Sequence, residues 1–279
     1  MNRMNHTSAL RHLRSLPRFG ALLAIMMIAG GAQAAPGDLS VKVVAGKFVA
    51  INQDGSRASD HRLTGAILKI GNPNSGGYRV RINAIVADPV GGPRPLTLYD
   101  LSFFNQSAGS WEPLCNKGPY GLALAVPVSG KYAADGRFVA YKDGRYSFSC
   151  SSGAHLKCLR MGYSPWAKTP NGESLANYHQ ACTRMMRADY CGTGQSFTVA
   201  GRRLQIFDRR SPRPAKKIGT LEAIWGINGA VCLRRPRVPE KFPLSVIRNA
   251  CPARVNSMVK YCDETLLDSH PQALIGNHS

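Results

Sequence analysis

Apolar and polar residues alternate along four stretches of the first half of the chain: Ser40 to Ile51, Ala66 to Ile70, Tyr78 to Val86 and Leu96 to Phe104. Clusters of Gly, Pro and Asn such as Gly71-Asn72-Pro73-Asn74 separate them. Successive side chains of a strand point to opposite faces, so this rhythm predicts half-buried strands joined by turns. Dipeptides that tolerate positive φ mark tight turns at Asp54-Gly55, Asp143-Gly144 and Asn228-Gly229; the third is the clearest, between Leu221 to Gly226 and Ala230 to Leu233.

Two segments change period. Between Ser174 and Tyr190, residues Leu175, Tyr178, His179, Cys182, Met186 and Asp189 share one helical face, while Gln180, Arg184 and Arg187 turn away from it. Gly192 and Gly194 follow where that helix needs a stop. The other helix opens at Pro252, a residue suited to a first turn, and places Val255, Met258, Val259, Cys262 and Leu266 on one face. From about Asp268 onward the end reads as frayed. The pattern as a whole predicts a β-rich α+β fold with antiparallel sheets, a central helix and a C-terminal helix.

The first residues change the picture of where the chain resides. Arg3, Arg11, Arg14 and Arg18 precede the apolar run Ala21 to Ala29 and the small residues Gly30-Gly31-Ala32-Gln33-Ala34. A basic start, a short apolar run and an A-x-A site predict a cleavable secretory signal over residues 1–34, cut after Ala34. Nine apolar residues fall well short of a ~30 Å hydrocarbon core. The expected product is periplasmic or extracellular, without a transmembrane segment. Losing residues 1–34 removes four arginines and no acids, so the net charge falls from +20 to +16. All eight cysteines, at 115, 150, 158, 182, 191, 232, 251 and 262, follow that segment. Their even number in an exported chain predicts disulfides. Cys182 and Cys191 on one helix would lie about 13.5 Å apart, too far to bond each other, and Cys251 and Cys262 about 16 Å apart. Past the signal, three parts are expected: a cysteine-free β-rich part over 35–110, a cysteine-rich core over 111–239, and a helical segment over 240–279 packed on that core.

The run Ala188, Asp189, Tyr190, Cys191 stands at the end of the central helix, with Gly162 to Trp166 and His179 to Arg184 before it. Further blocks are Trp111 to Cys115, Phe148 to Cys150, Gly153 to Cys158, Glu222 to Trp225 and Gly229 to Cys232. In this order they resemble the bacterial exported family named for its A-D-Y-C motif. The resemblance implies a fold and a disulfide core, and it supplies neither an activity nor a catalytic residue.

Candidate chemistry is sparse. His179 and Cys182 sit three apart on one helical face, the spacing of a Cys/His nucleophile pair or of two metal ligands. An envelope hydrolase or thiol-dependent enzyme centred on His179 with Cys182 or Cys191 is therefore the alternative reading, and a triad would draw on Asp208 or Glu222. A structural Cys/His zinc site is a third reading. No G-x-S-x-G, H-E-x-x-H, Walker-type loop or dinucleotide fingerprint occurs, and neither cofactor nor metal is expected. Tyr163, Pro165 and Trp166 read as packing over a disulfide rather than as a ligand shelf. Asp189, inward near a helix C-terminus, calls for an Arg or backbone N–H partner from another segment. The densest basic stretch holds Arg202, Arg203, Arg209, Arg210, Arg213, Lys216 and Lys217, and Arg234, Arg235 and Arg237 follow the next hairpin. If the two adjoin they form an anion-binding patch for envelope polymer or lipid head groups, without specific nucleic-acid recognition. The expected protein is a non-enzymatic, disulfide-stabilised binding or structural module.

Overall fold

The β rhythm of the front half builds a layered core. A computed structural model describes residues 40–51, 55–58, 60–70, 78–93, 95–118 and 121–279. The signal segment, Asp54 and the Gly71-Asn72-Pro73-Asn74 cluster lie outside the described residues. Ser40 to Ile51 forms a hairpin, β1 (Ser40–Val44) and β2 (Lys47–Ile51). Ala45 and Gly46 both adopt positive φ, which closes the two-residue turn between them. β3 (Arg57–Ala58) pairs with β2. Then come β4 (Ile67–Ile70), β5 (Tyr78–Ala87), β6 (Thr97–Asn105), β7 (Ser110–Pro113) and β8 (Leu124–Val128). β9 (Gly130–Tyr132) and β10 (Phe138–Ala140) make a separate ribbon, and β11 (Ser147–Cys150) returns to β8. The large sheet runs β11-β8-β6-β5-β4, with β7 also paired to β6.

Asp143-Gly144 departs from the hairpin expectation. The strands on either side of it, β10 and β11, belong to different sheets, and Asp143 instead accepts bonds from the Arg145 backbone and guanidinium. One face of the large sheet buries Val80, Ile82, Tyr99 and Leu101 against Phe48 and Ala50 of β2. On the other, Leu98, Val126 and Val128 meet Leu156 and Leu159 of α1 (Ala154–Arg160).

The second half centres on α2 (Leu175–Arg187), capped by the Ser174 hydroxyl accepting from Ala176 N. β12 (Gln205–Asp208), β13 (Leu221–Gly226) and β14 (Gly229–Leu233) follow, the last two joined at Ile227-Asn228. α3 (Leu244–Ala250), α4 (Pro252–Ser257), α5 (Leu266–Ser269) and β15 (Ile275–His278) complete the chain. The helix from Pro252 is thus shorter than its apolar spacing predicts. Met258 is extended, and Val259 N donates to Val231 O, so the chain leaves the helix to run beside β14.

The frayed end is also overturned. β15 is an inner strand of the sheet β12-β15-β13-β14, and Ile275 and Asn277 are fully buried. Residues Ala223, Trp225, Ala230 and Ile275 cover α2, while Phe207, Ile224, Val231 and Leu267 fill the opposite face. Every strand pairing among the described residues is antiparallel. The fold is β-rich α+β, cross-linked by disulfides Cys115–Cys150, Cys158–Cys182, Cys191–Cys251 and Cys232–Cys262. No helix among the described residues is long and apolar enough to cross a membrane.

Candidate functional site

Each residue of the A-D-Y-C run has a separate structural task. α2 ends at Arg187 and Ala188 takes the left-handed conformation, φ +48°. Ala188 N donates to Met185 O and Asp189 N to Arg184 O, the paired bonds of a Schellman stop. The helix therefore stops four residues before Gly192, and an alanine does what glycine was expected to do. This turn folds Asp189 back over the last helical turn. Its carboxylate accepts Arg184 Nη1 at 2.5 Å, Thr193 N at 3.1 Å and Gly194 N at 2.8 Å. Asp189 and Arg184 are 0 % and 2 % exposed. The partner of Asp189 thus comes from its own helix, and Arg184 points inward, contrary to a straight-helix projection. Gln180, also assigned to the outer face, is buried and bonds Phe138 N and Gly136 O.

Tyr190 and Cys191 carry the run onward. The Tyr190 ring stacks on Trp225, and its hydroxyl donates to Glu222 Oε1 at 2.9 Å and accepts Arg237 N at 2.8 Å. Burial and the Glu222 charge raise its pKa, keeping the phenol protonated. Cys191 bridges to Cys251 between α3 and α4. Behind it, Gly192 and Gly229 permit a close backbone approach. A Cβ on Gly192 would meet Asn228 O at 2.1 Å, and one on Gly229 would meet Tyr190 O at 2.5 Å.

Glu222 is the hub beneath the motif. The pairing of β13 with β15 slips between Leu221 and Ala223, so Glu222 is the extra residue of a bulge. Its carboxylate, fully buried, receives Arg237 Nε at 2.8 Å and Nη2 at 3.0 Å, and Asn277 Nδ2 at 2.8 Å. Arg237 also donates to the carbonyls of Met185 and Met186 at the end of α2, and Trp225 Nε1 donates to Asn277. Arg237 is therefore an internal strut, not a surface anion ligand.

The catalytic alternative loses its nucleophile, because Cys182 bonds Cys158 and Cys191 bonds Cys251. His179 is fully buried. Its Nδ1 lies 2.8 Å from Tyr163 O and its Nε2 2.9 Å from Tyr132 Oη. A carbonyl can only accept, so Nδ1 holds the proton and Nε2 accepts the Tyr132 hydroxyl. Neither triad carboxylate turns to it: Asp208 accepts Tyr163 Oη at 2.8 Å, and Glu222 is engaged as above. Among the described residues no three His, Cys, Asp or Glu side chains converge to hold a metal ion. Tyr163 stacks on Tyr178 in the cluster that contains the Cys158–Cys182 bridge, while Trp166 lies against Gly46 of the first hairpin.

This burial has a pH consequence. Desolvation pushes the His179 pKa down to about 4, and burial followed by the charges of His179 and Arg187 pushes that of His155, stacked on Tyr132, down to about 3. The unfolded chain protonates near 6.5, so it binds more protons than the folded chain between about 6.5 and 3. Stability is complete above that window and falls as pH drops through it, His179 alone accounting for about 3 kcal/mol. A His179→Gln variant is expected to show a flatter fall in denaturation midpoint between neutral and acidic pH. Parallel curves for variant and wild type would remove this role.

The basic segments are divided by the fold. Arg202 pairs with Glu240, Arg213 with Asp268 and Lys217 with Glu264. Arg209 donates Nε and Nη2 to the carbonyls of Leu267 and His270, and Arg234 reaches Cys262 O. Arg210 lies over the Tyr178 ring, 5.1 Å from its centroid. Arg203, Lys216 and Arg235 are exposed. The two segments meet around Glu240, whose carboxyl is held below the usual carboxylate range first by a bond from its own backbone N–H, then by the Arg202 hydrogen bond and the charges of Arg202 and Arg235.

The structure adds partners that the sequence did not single out. Arg209 shares a polar cleft of about 230 Å³ with Arg254 of α4, Glu173, Asn177 and Gln272. A second cleft of about 340 Å³ shares Glu173 and adds Arg210. No local signal in the sequence marks Arg254; only the return of the chain toward β15 brings it to Arg209.

The chain matches no curated protein and no solved structure. The model of the ADYC domain matches residues 60–239, from the turn before β4 to just past Arg237. The matched span holds the motif, Glu222 and Arg237, whereas β15 and Cys251 and Cys262 lie beyond it. With well over half of its length in that match, the chain belongs to the ADYC domain family.

Proposed function

We propose that this protein is an exported, disulfide-stabilised module that binds anionic components of the cell envelope, polymer or lipid head groups, without catalysing a reaction. The signal-like residues 1–34 and the four disulfides support export. One observation carries the binding reading. Of the ten basic residues of the two segments, Arg202, Arg213, Lys217 and Arg237 pair with carboxylates, which leaves six without an ion pair among the described residues. Of these six, Arg203, Arg210, Lys216, Arg234 and Arg235 are exposed, and the side chains of Arg203, Lys216 and Arg235 make no hydrogen bond, ion pair or ring contact among the described residues. Charges of this kind attract anionic surfaces over about a Debye length, with strong salt dependence and little selectivity.

Sedimentation with phosphatidylglycerol vesicles tests this reading. Binding is expected to weaken steadily with added salt. Replacing Arg203, Lys216 and Arg235 together with Gln is expected to weaken it by roughly a hundredfold. Retention that ignores salt, or a triple variant that binds like wild type, would sink the proposal.

A further inference from the structure

The cleft between α2, α4 and the approach to β15 contains a charge imbalance that the exposed basic surface does not explain. Arg254 donates Nη2 to Ala230 O at 2.8 Å, yet its Nε is buried with no hydrogen-bond partner. Arg209 commits Nε and Nη2 to two carbonyls, which fixes the plane of its guanidinium at the cleft wall. Neither arginine forms an ion pair among the described residues. Glu173, the carboxylate of this wall, accepts the Tyr178 hydroxyl at 3.3 Å.

A half-buried cation without a counter-ion is costly, and the cost falls when an anion joins it. Burial, and after it the charge of Arg184, lower the pKa of Arg254, as expected for a cation held in this way. Arg184 cannot relieve it, being itself a cation bound to Asp189. A guanidinium held in one plane matches the oxygens of a carboxylate or a phosphate. The amides of Asn177 and Gln272 add neutral donors, and Glu173 adds an acceptor.

We infer that this cleft is a binding site for a small oxyanion, a carboxylate or a phosphate ester, on a molecule that also presents a hydroxyl or amine to Glu173. At about 230 Å³ it lies below the usual range of drug-sized pockets, so it takes a small molecule or the end of a larger one. The site is stoichiometric and does not depend on the diffuse surface attraction proposed above.

Calorimetric titration of the oxidised protein with glycerol 3-phosphate, and separately with glycerate, reads the cleft without a charged surface in the cell. One or both probes are expected to bind saturably, one per chain. Arg254→Gln is expected to weaken that binding by roughly tenfold or more. Asn177→Asp, at an exposed position, places a second carboxylate in the wall without disturbing the core and is expected to act in the same direction. Lys42→Gln, exposed on β1, is expected to bind like wild type. If glycerol 3-phosphate also displaces the protein from phosphatidylglycerol vesicles, the anion is a lipid head group; if it binds without displacing, the anion belongs to a soluble molecule. Absence of saturable binding by both probes, or unchanged binding in both cleft variants, overturns the site.

Discussion

Glu222→Ala is expected to lower the stability of the folded protein by about 3–5 kcal/mol, the range for removing one partner of a buried ion pair. Most of that cost is not the lost attraction itself. Arg237 would be left buried with its charge uncompensated, and the Tyr190 hydroxyl and Asn277 amide would each lose an acceptor. Because Arg237 also holds the last carbonyls of α2, the damage should spread to the motif end of the helix. Denaturant unfolding measures this as a lower midpoint. A joint Glu222→Leu, Arg237→Met variant should recover part of the loss, since an apolar pair leaves no stranded charge. A Glu222→Ala midpoint close to wild type would mean that the hub is not where the fold is secured.

Removing the Cys191–Cys251 bridge with a double Ser substitution is the other large effect. It spans 60 residues of sequence, and releasing a loop of that length costs about 4 kcal/mol in the chain-entropy account. The bridge ties the motif to the junction of α3 and α4, and α4 has no buried side chain of its own. Its loss should therefore expose that region to protease before the rest of the fold opens. Simultaneous cleavage throughout the chain, or none, would contradict the assignment of this bridge as the clamp on the C-terminal segment.

How much of this was legible in the chain follows from how local each feature is. Strands β4, β5 and β6 read directly from alternation, because each is half-buried and its side-chain rhythm records that burial. The body of α2 and the turn at Asn228-Gly229 read equally well, from the helical period and from turn chemistry. β15 did not: Ile275-Gly276-Asn277-His278 has no apolar alternation, and it is a strand because β12 and β13 supply partners on both sides. Arg184 and Gln180 were placed outside by a projection that treats the helix as a free rod. The left-handed turn at Ala188 and the approach of Asp135 and Gly136 bury both.

The candidate site shows the same division. The basic residues were visible as composition, but which of them are struts and which are free depends on acids far off in sequence, such as Glu264 for Lys217 and Glu222 for Arg237. Arg254 and Glu173 meet only through the tertiary fold, 81 positions apart, and no short-range signal joins them.

The central claim is that the A-D-Y-C run is a buried structural knot whose cysteine is one half of a bridge and not a nucleophile. Peptide-level mass spectrometry of protein alkylated without reduction tests it most directly. The expected map is Cys115–Cys150, Cys158–Cys182, Cys191–Cys251 and Cys232–Cys262, with no alkylated thiol. A free Cys182 or Cys191 would contradict the account and return a nucleophile to the side of His179.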